Sequence, residues 1–147
     1  MIAQLNVAYA KAPLESPEMA EFMNNLDRIN ELAETSQGFV WRLQDVDGNA
    51  TSIRVTQDPR FILNLSVWRS VKDLHHFVFR TEHKEFVRRR DDWFMPSDTA
   101  SVILWQLDDD KIMPSLEDAF GRLERFNKIG PSIDAFTWQT AKDFGVI

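Results

Sequence analysis

Two hydrophobic periodicities take turns along this chain, and their order restricts the fold more than any single motif does. A period of two marks strands, and a period near 3.6 marks helices. Ile2 to Tyr9 alternates, with Leu5 and Val7 on one face and Gln4 and Asn6 on the other. Ser16, Pro17 and Glu18 make a helix start, with Ser16 as N-cap and proline at the first position. Met19, Phe22, Met23, Leu26, Ile29 and Ala33 then recur at helical spacing, and Gly38 supplies the stop. Phe39 to Gln44 and Arg60 to Val67 read as the second and third strands. In the third, Phe61, Leu63, Leu65 and Val67 share one face and leave Asn64, Ser66 and Trp68 on the other. Asp47, Gly48 and Asn49 supply turn chemistry between them, and Asp58-Pro59 closes a loop of about ten residues whose outer end is placed to cover a pocket.

The second half repeats the plan. Ser70 caps a helix whose stripe is Val71, Leu74 and Val78, and a further helix spans Thr81 to Pro96. Ala100 to Leu107 forms the fourth strand, with Ile103 and Trp105 opposite Val102, Leu104 and Gln106. Ser115 opens a last helix striped by Leu116, Ala119, Phe120, Leu123 and Phe126, and Gly130-Pro131 ends it. The tail carries Phe136 and Trp138 and is apolar enough to dock on its own subunit or on a partner. This order, βαβ followed by βαβ, predicts an α+β chain with a ferredoxin-like split-βαβ plan, a four-stranded antiparallel sheet with helices on one face. A single domain over residues 1–147 is expected, with residues 1–110 as its core and 111–147 as a helical extension. Both strand faces carry large apolar groups, so the face without helices needs a cover. Two such sheets packed face to face would provide it, predicting a homodimeric α/β barrel.

Composition excludes several classes of function. A formal net charge of −6 argues against a general nucleic-acid binder, and the Arg88-Arg89-Arg90 run is followed at once by Asp91-Asp92. The chain has no cysteine, hence no disulfide, thiolate nucleophile or cysteine-based metal site, which fits a cytoplasmic protein. The opening residues lack the pattern of a secretory leader, and no stretch approaches the roughly 18 apolar residues of a membrane span. A soluble, unprocessed protein is expected. Asp108-Asp109-Asp110 lacks the spacing and glycine of a calcium loop and reads as a solvated turn.

The densest chemistry lies in Thr81 to Pro96. At about 100° per residue, His83, Phe86, Val87, Arg90 and Phe94 fall on one helix face with Trp93 at its border, while Arg88 and Arg89 point elsewhere. An imidazole and a guanidinium on an apolar stripe are either structural, closed by carboxylates such as Asp118 or Glu124, or they are a pocket wall. On the second view they offer an acid/base and a fixed cation to a small apolar or aromatic molecule. Asn6, Asn64 and Trp68 project from the sheet toward them. The candidate catalytic residues are therefore His83, Arg90 and Asn64, with Asn6, Trp68, His75, Trp93 and Trp105 as candidate substrate contacts. No cofactor motif is seen.

The segments AQLNVA, LDRINELAETSQGFVWRL, VWRSVKDLHHFVFRTEHKEFVRRRDDWF, SVILWQL and MPSLEDAFGRLERFNKIGPSIDAFTW resemble the DUF3291 family of uncharacterised bacterial proteins over nearly the whole chain. That family resembles in turn the antibiotic-biosynthesis-monooxygenase superfamily of dimeric α/β barrels. The resemblance implies monooxygenase-like chemistry. In quinone-forming members, which need no cofactor, an asparagine stands four residues before a strand-ending tryptophan, as Asn64 does before Trp68. In haem-degrading members the corresponding set would be Asn6, Trp68 and His75 or His76 as iron ligand. A ligand-binding or structural homodimer without catalysis is the remaining alternative.

Overall fold

The computed structural model describes residues 1–44, 58–97, 99–108 and 112–146. The expected Asp47–Asn49 turn and all but the last two residues of the pocket-covering loop lie outside the described residues, as does the acidic turn beyond Asp108. The elements run β1 (Ile2–Tyr9), α1 (Ala20–Glu34), β2 (Phe39–Arg42), β3 (Phe61–Trp68), α2 (Val71–Arg80), α3 (His83–Arg88), α4 (Arg90–Trp93), β4 (Val102–Gln106) and α5 (Leu116–Ile129). Short 3₁₀ turns cover Pro17–Met19 and Ala141–Phe144. The four strands form one antiparallel sheet in the order β2-β3-β1-β4. Each βαβ passage therefore crosses over a strand of the other half.

Local chemistry explains most of the boundaries. Ser70 and Ser115 accept hydrogen bonds from the backbone N–H of Asp73 and Asp118, capping α2 and α5. Ser16 does not cap. Its hydroxyl donates to Pro13 O at 2.6 Å, and α1 starts through the 3₁₀ turn instead. The single helix expected over Thr81 to Pro96 is broken into α3 and α4 at Arg89 (φ −97°, ψ 11°), whose guanidinium bonds Glu21 on α1 and lies 4.5 Å over the Trp93 ring. A tertiary contact has overridden helical continuity there.

The alternation in β1 and β3 fixes what each sheet face carries. Ile2 stands opposite Trp68, Gln4 opposite Ser66 and Asn6 opposite Asn64 on one face. Leu5, Leu65, Val67, Ile103 and Trp105 occupy the other and are fully buried. The polar-centred face packs against α1 and α2 through Ala33, Leu74 and Phe77, joined by Phe136 and Ala141 from the tail. The apolar face packs against α5 through Ala119, Leu116, Phe120 and Leu123.

That second packing corrects an expectation. Helices were expected on one face of the sheet only, and α5 of the same chain covers the other. The tail also docks on its own chain. Phe136 exchanges both backbone hydrogen bonds with Leu104, at 2.8 and 2.9 Å, and so occupies part of the β4 edge.

Gly38, at the α1–β2 turn, holds a left-handed φ of 85°, and its carbonyl accepts from Arg69 N at 2.7 Å. A Cβ there would stand 2.3 Å from the Asp73 carboxylate, which in turn accepts the Ser70 hydroxyl bond. Gly38→Ala should therefore destabilise the protein by about 2 kcal/mol or more through backbone strain and displacement of the α2 cap. The check is the urea midpoint, with an unchanged slope.

Candidate functional site

Between the polar-centred sheet face and helices α1 to α4 lies a cavity of about 330 Å³. Its floor is the sheet, with Gln4, Asn6, Asn64, Ser66 and Trp68 projecting into the lining because they share one strand parity. Phe22, Leu26, Ile29 and Asn30 of α1 form one wall, and Leu74, Phe77 and Val78 of α2 another. The third wall comes from the α3–α4 segment. His83, Phe86, Val87, Arg90 and Phe94, the residues that helical spacing placed on one stripe, all line the cavity. The break at Arg89 leaves that stripe intact and sends Arg89 outward to Glu21.

The floor is partly self-satisfied. Gln4 Nε2 donates to Asn64 Oδ1 at 3.1 Å, and Trp68 Nε1 donates to Ser66 Oγ at 3.1 Å. Asn64 keeps its amide N–H groups and Ser66 keeps its hydroxyl proton as donors. The Asn6 Oδ1 acceptor is buried with no partner among the described residues. A buried, unpaired amide oxygen costs about 1–3 kcal/mol, so this wall is polar at a price in stability.

His83 sits at the other side of the space. Its Nδ1 lies 3.1 Å from the Val78 carbonyl, which can only accept, so Nδ1 carries the proton and Nε2 keeps a lone pair. Burial disfavours the imidazolium and pushes the His83 pKa below its ordinary value, outweighing the Val78 bond that favours the charged form. Phe77 packs against the ring at a centroid distance of 4.9 Å. The result is a neutral imidazole of fixed tautomer in a mostly apolar surround.

Arg90 is half-buried and has no carboxylate partner among the described residues. Asp118 pairs with Arg122 and Glu124 with Lys128, so neither closes Arg90. Arg42, 9% exposed and also lining the cavity, is paired with Glu34 at 2.9 Å.

Five of the eight candidate residues are thus brought to one cavity: His83, Arg90, Asn64, Asn6 and Trp68. Three are not. His75 is exposed on the outer side of α2, with its ring against Phe79 and Trp138 at 4.7 and 5.5 Å. Trp93 is buried in a separate cluster with Ala10, Leu14 and Met19. Trp105 lies on the opposite sheet face, 5.2 Å beneath the Arg122 guanidinium, as its parity against Leu104 requires. Gln4 and Ser66 line the cavity and were not singled out, although their alternation with Leu5 and Leu65 carries the signal. Arg42 had no such signal. A bulge between Phe39 and Trp41 shifts the register, so that Arg42 rather than Trp41 shares the face of Phe39.

Among the described residues, no group of three or more histidine, aspartate or glutamate side chains is placed to hold a metal ion, and no helix is long and apolar enough to cross a membrane.

These features define an α+β protein whose four-stranded antiparallel sheet forms the floor of a cavity of mixed polarity. The chain belongs to the family described as domain of unknown function DUF3291, whose model matches residues 1–144. No curated protein matches it. Among solved structures it is similar to PA3566 from Pseudomonas aeruginosa, with 17% identity over 72% of this chain and 90% of that one and a TM-score of 0.47. A second is the structural-genomics protein YJCS, with 9% identity over 74% of this chain and 100% of that one and a TM-score of 0.47. Likeness at this level says nothing of what this cavity binds.

The His83 environment has a pH signature. Because its pKa is lowered in the folded state, the unfolded chain binds more protons below about pH 6.5. The His83 contribution to stability is therefore intact above that pH, falls as the pH drops through it, and levels off beneath the folded pKa. NMR titration of the His83 ring should give a midpoint below the ordinary histidine value of about 6.5. His83→Asn, which keeps a donor for Val78 O, should flatten this part of the urea stability profile.

Proposed function

We propose that this protein is a small-molecule enzyme that takes a phenol-like aromatic compound into the cavity and oxidises it without a cofactor. The observation that carries the reading is the convergence of a neutral, tautomer-fixed His83, the Asn64 amide donors and the unpaired Arg90 on one aromatic-walled space. Few, convergent polar groups in an otherwise apolar hollow are the usual form of a small-molecule site. The strand order, with each βαβ passage crossing a strand of the other half, supports the ferredoxin-like assignment. A homodimer remains part of this reading, with the apolar sheet face covered by α5 of the same chain.

In this reading His83 Nε2 accepts the phenol proton. The phenolate oxygen receives hydrogen bonds from Asn64 Nδ2, while Arg90 supplies a fixed cation elsewhere on the cavity wall. The electron-rich ring carbon beside that oxygen then reacts with dioxygen. Overall, one phenol and one O₂ give one quinone and one water. The ring C–H and O–H hydrogens leave in the water, with one oxygen atom, and the other oxygen becomes the second quinone carbonyl. Phe77, Phe86 and Trp68 hold the ring and exclude bulk water.

Haem fits the residues poorly. Of the set that the monooxygenase resemblance would assign to it, Asn6 and Trp68 line the cavity, but His75 and His76 are exposed and lie outside it.

The test is oxygen uptake, with quinone absorbance, across a panel of simple phenols. His83→Asn should lower turnover about 10²- to 10⁴-fold, and Asn64→Leu about 10²-fold, with folding unchanged. Turnover at the wild-type rate by His83→Asn would remove the proton-transfer role. Tight binding without oxygen consumption anywhere in the panel would leave a ligand-binding protein.

A further inference from the structure

We propose that the ligand of this cavity is an aromatic acid carrying a ring hydroxyl at one end and a carboxylate at the other, with Arg90 as the carboxylate anchor. This rests on the aromatic-ligand reading above and narrows it to a class.

The first support is where Arg90 stands. It lines the inner cavity and also borders a second hollow of about 340 Å³, whose lining includes Tyr9, Arg60, Ser97, Thr99 and Ser101. Among the described residues that line the inner cavity, Ala8 is the only other one shared with that hollow. A charged end held at Arg90 would therefore lie where the two spaces meet, with the apolar body inside.

The second support is charge pairing. Arg88 binds Glu85, Arg89 binds Glu21 and Asp92, and Arg60 binds Asp58. Arg90 has only a long 3.5 Å approach to Ser101 Oγ. Arg69 and Arg80 also lack a carboxylate partner among the described residues, but both are exposed and hydrated. A half-buried guanidinium without a counter-ion is costly in a chain whose acids outnumber its bases, 23 to 17. It cannot lose its proton, and its planar fork fits a carboxylate with two parallel hydrogen bonds.

The third support is the difference between the two ends. His83 is neutral, so it suits a hydroxyl that donates a hydrogen bond and offers no charge to a carboxylate. The seven steps from His83 to Arg90, helical except at Arg89, span about 10 Å at 1.5 Å per helical residue. After the side chains reach inward, one ring with a short acid-bearing arm fills that length. The reverse orientation would bury a carboxylate beside an uncharged imidazole and leave Arg90 unpaired.

The experiment compares 4-hydroxyphenylacetate, its neutral amide 4-hydroxyphenylacetamide, and phenylacetate, by calorimetric titration of the wild-type protein, Arg90→Gln and Arg90→Lys. The acid should bind about tenfold or more tighter than the amide. Arg90→Gln should abolish that preference, whereas Arg90→Lys should keep most of it. Removal of the ring hydroxyl should weaken binding in all three proteins. An acid that binds no tighter than its amide to the wild type, or a preference that survives Arg90→Gln, overturns the assignment. If Arg90→Gln fails to fold, the wild-type and Arg90→Lys comparisons still decide it. Equal binding of acid and amide, weakened in both by His83→Asn, would leave the aromatic site standing without its carboxylate anchor. Binding of none of the three would overturn both.

Discussion

Leaving an amide or hydroxyl buried without a hydrogen-bond partner costs about 1–3 kcal/mol, and β1 and β3 set four such groups side by side at the centre of one sheet face. Gln4, Asn6, Asn64 and Ser66 cannot be sealed under apolar helix stripes as the opposite face is sealed under α5. Two internal bonds, Gln4 to Asn64 and Trp68 to Ser66, relieve part of the cost. The rest is relieved by space. Helices α1 and α2 pack on the apolar ends of the same face, through Ile2, Trp68 and Leu104, and stand away from its polar centre. The cavity follows from a sheet that is apolar on one side and polar-centred on the other.

The remaining wall depends on how α3 and α4 are held. Arg28 pairs with Glu82, and Arg89 with Glu21, so two ion pairs tie this segment to α1. Exposed pairs of this kind contribute little stability, typically under about 1 kcal/mol each, yet they define which way the segment faces. The Phe22, Phe86, Trp93 and Phe94 cluster supplies the packing beneath them. Consecutive arginines thereby divide their roles: Arg88 stays on the helix surface with Glu85, Arg89 reaches α1, and Arg90 reaches the cavity.

Much of the site was legible because it depends on short-range periodicity. The stripe of His83, Phe86, Val87, Arg90 and Phe94 needs only residue spacing on a helix, and the shared face of Asn6, Asn64 and Trp68 needs only strand parity. The same parity already set Trp105 on the other face, and it was the aromatic character of that residue, not its phase, that suggested a ligand role. His75 and Trp93 fail for a different reason. Each lies at the border of a helical stripe, where a small rotation of the helix decides between cavity, core and solvent, and only packing sets that rotation.

The sequence by itself determined the order of strands and helices, which side chains share each face of β1, β3 and β4, the Ser70 and Ser115 caps, and the glycine at position 38. All of these are set by residues within a few positions of one another. Tertiary structure decided which element covers which face. An amphipathic stripe such as Leu116 to Phe126 states that a helix must bury one side, and says nothing of whether it lies against its own sheet or a partner's; here it takes the apolar face of its own sheet. The bulge that turns Arg42 inward and the break at Arg89 were likewise decided by neighbours distant in sequence, because a register shift or a helix kink is selected by the contacts it permits and not by the residues where it occurs.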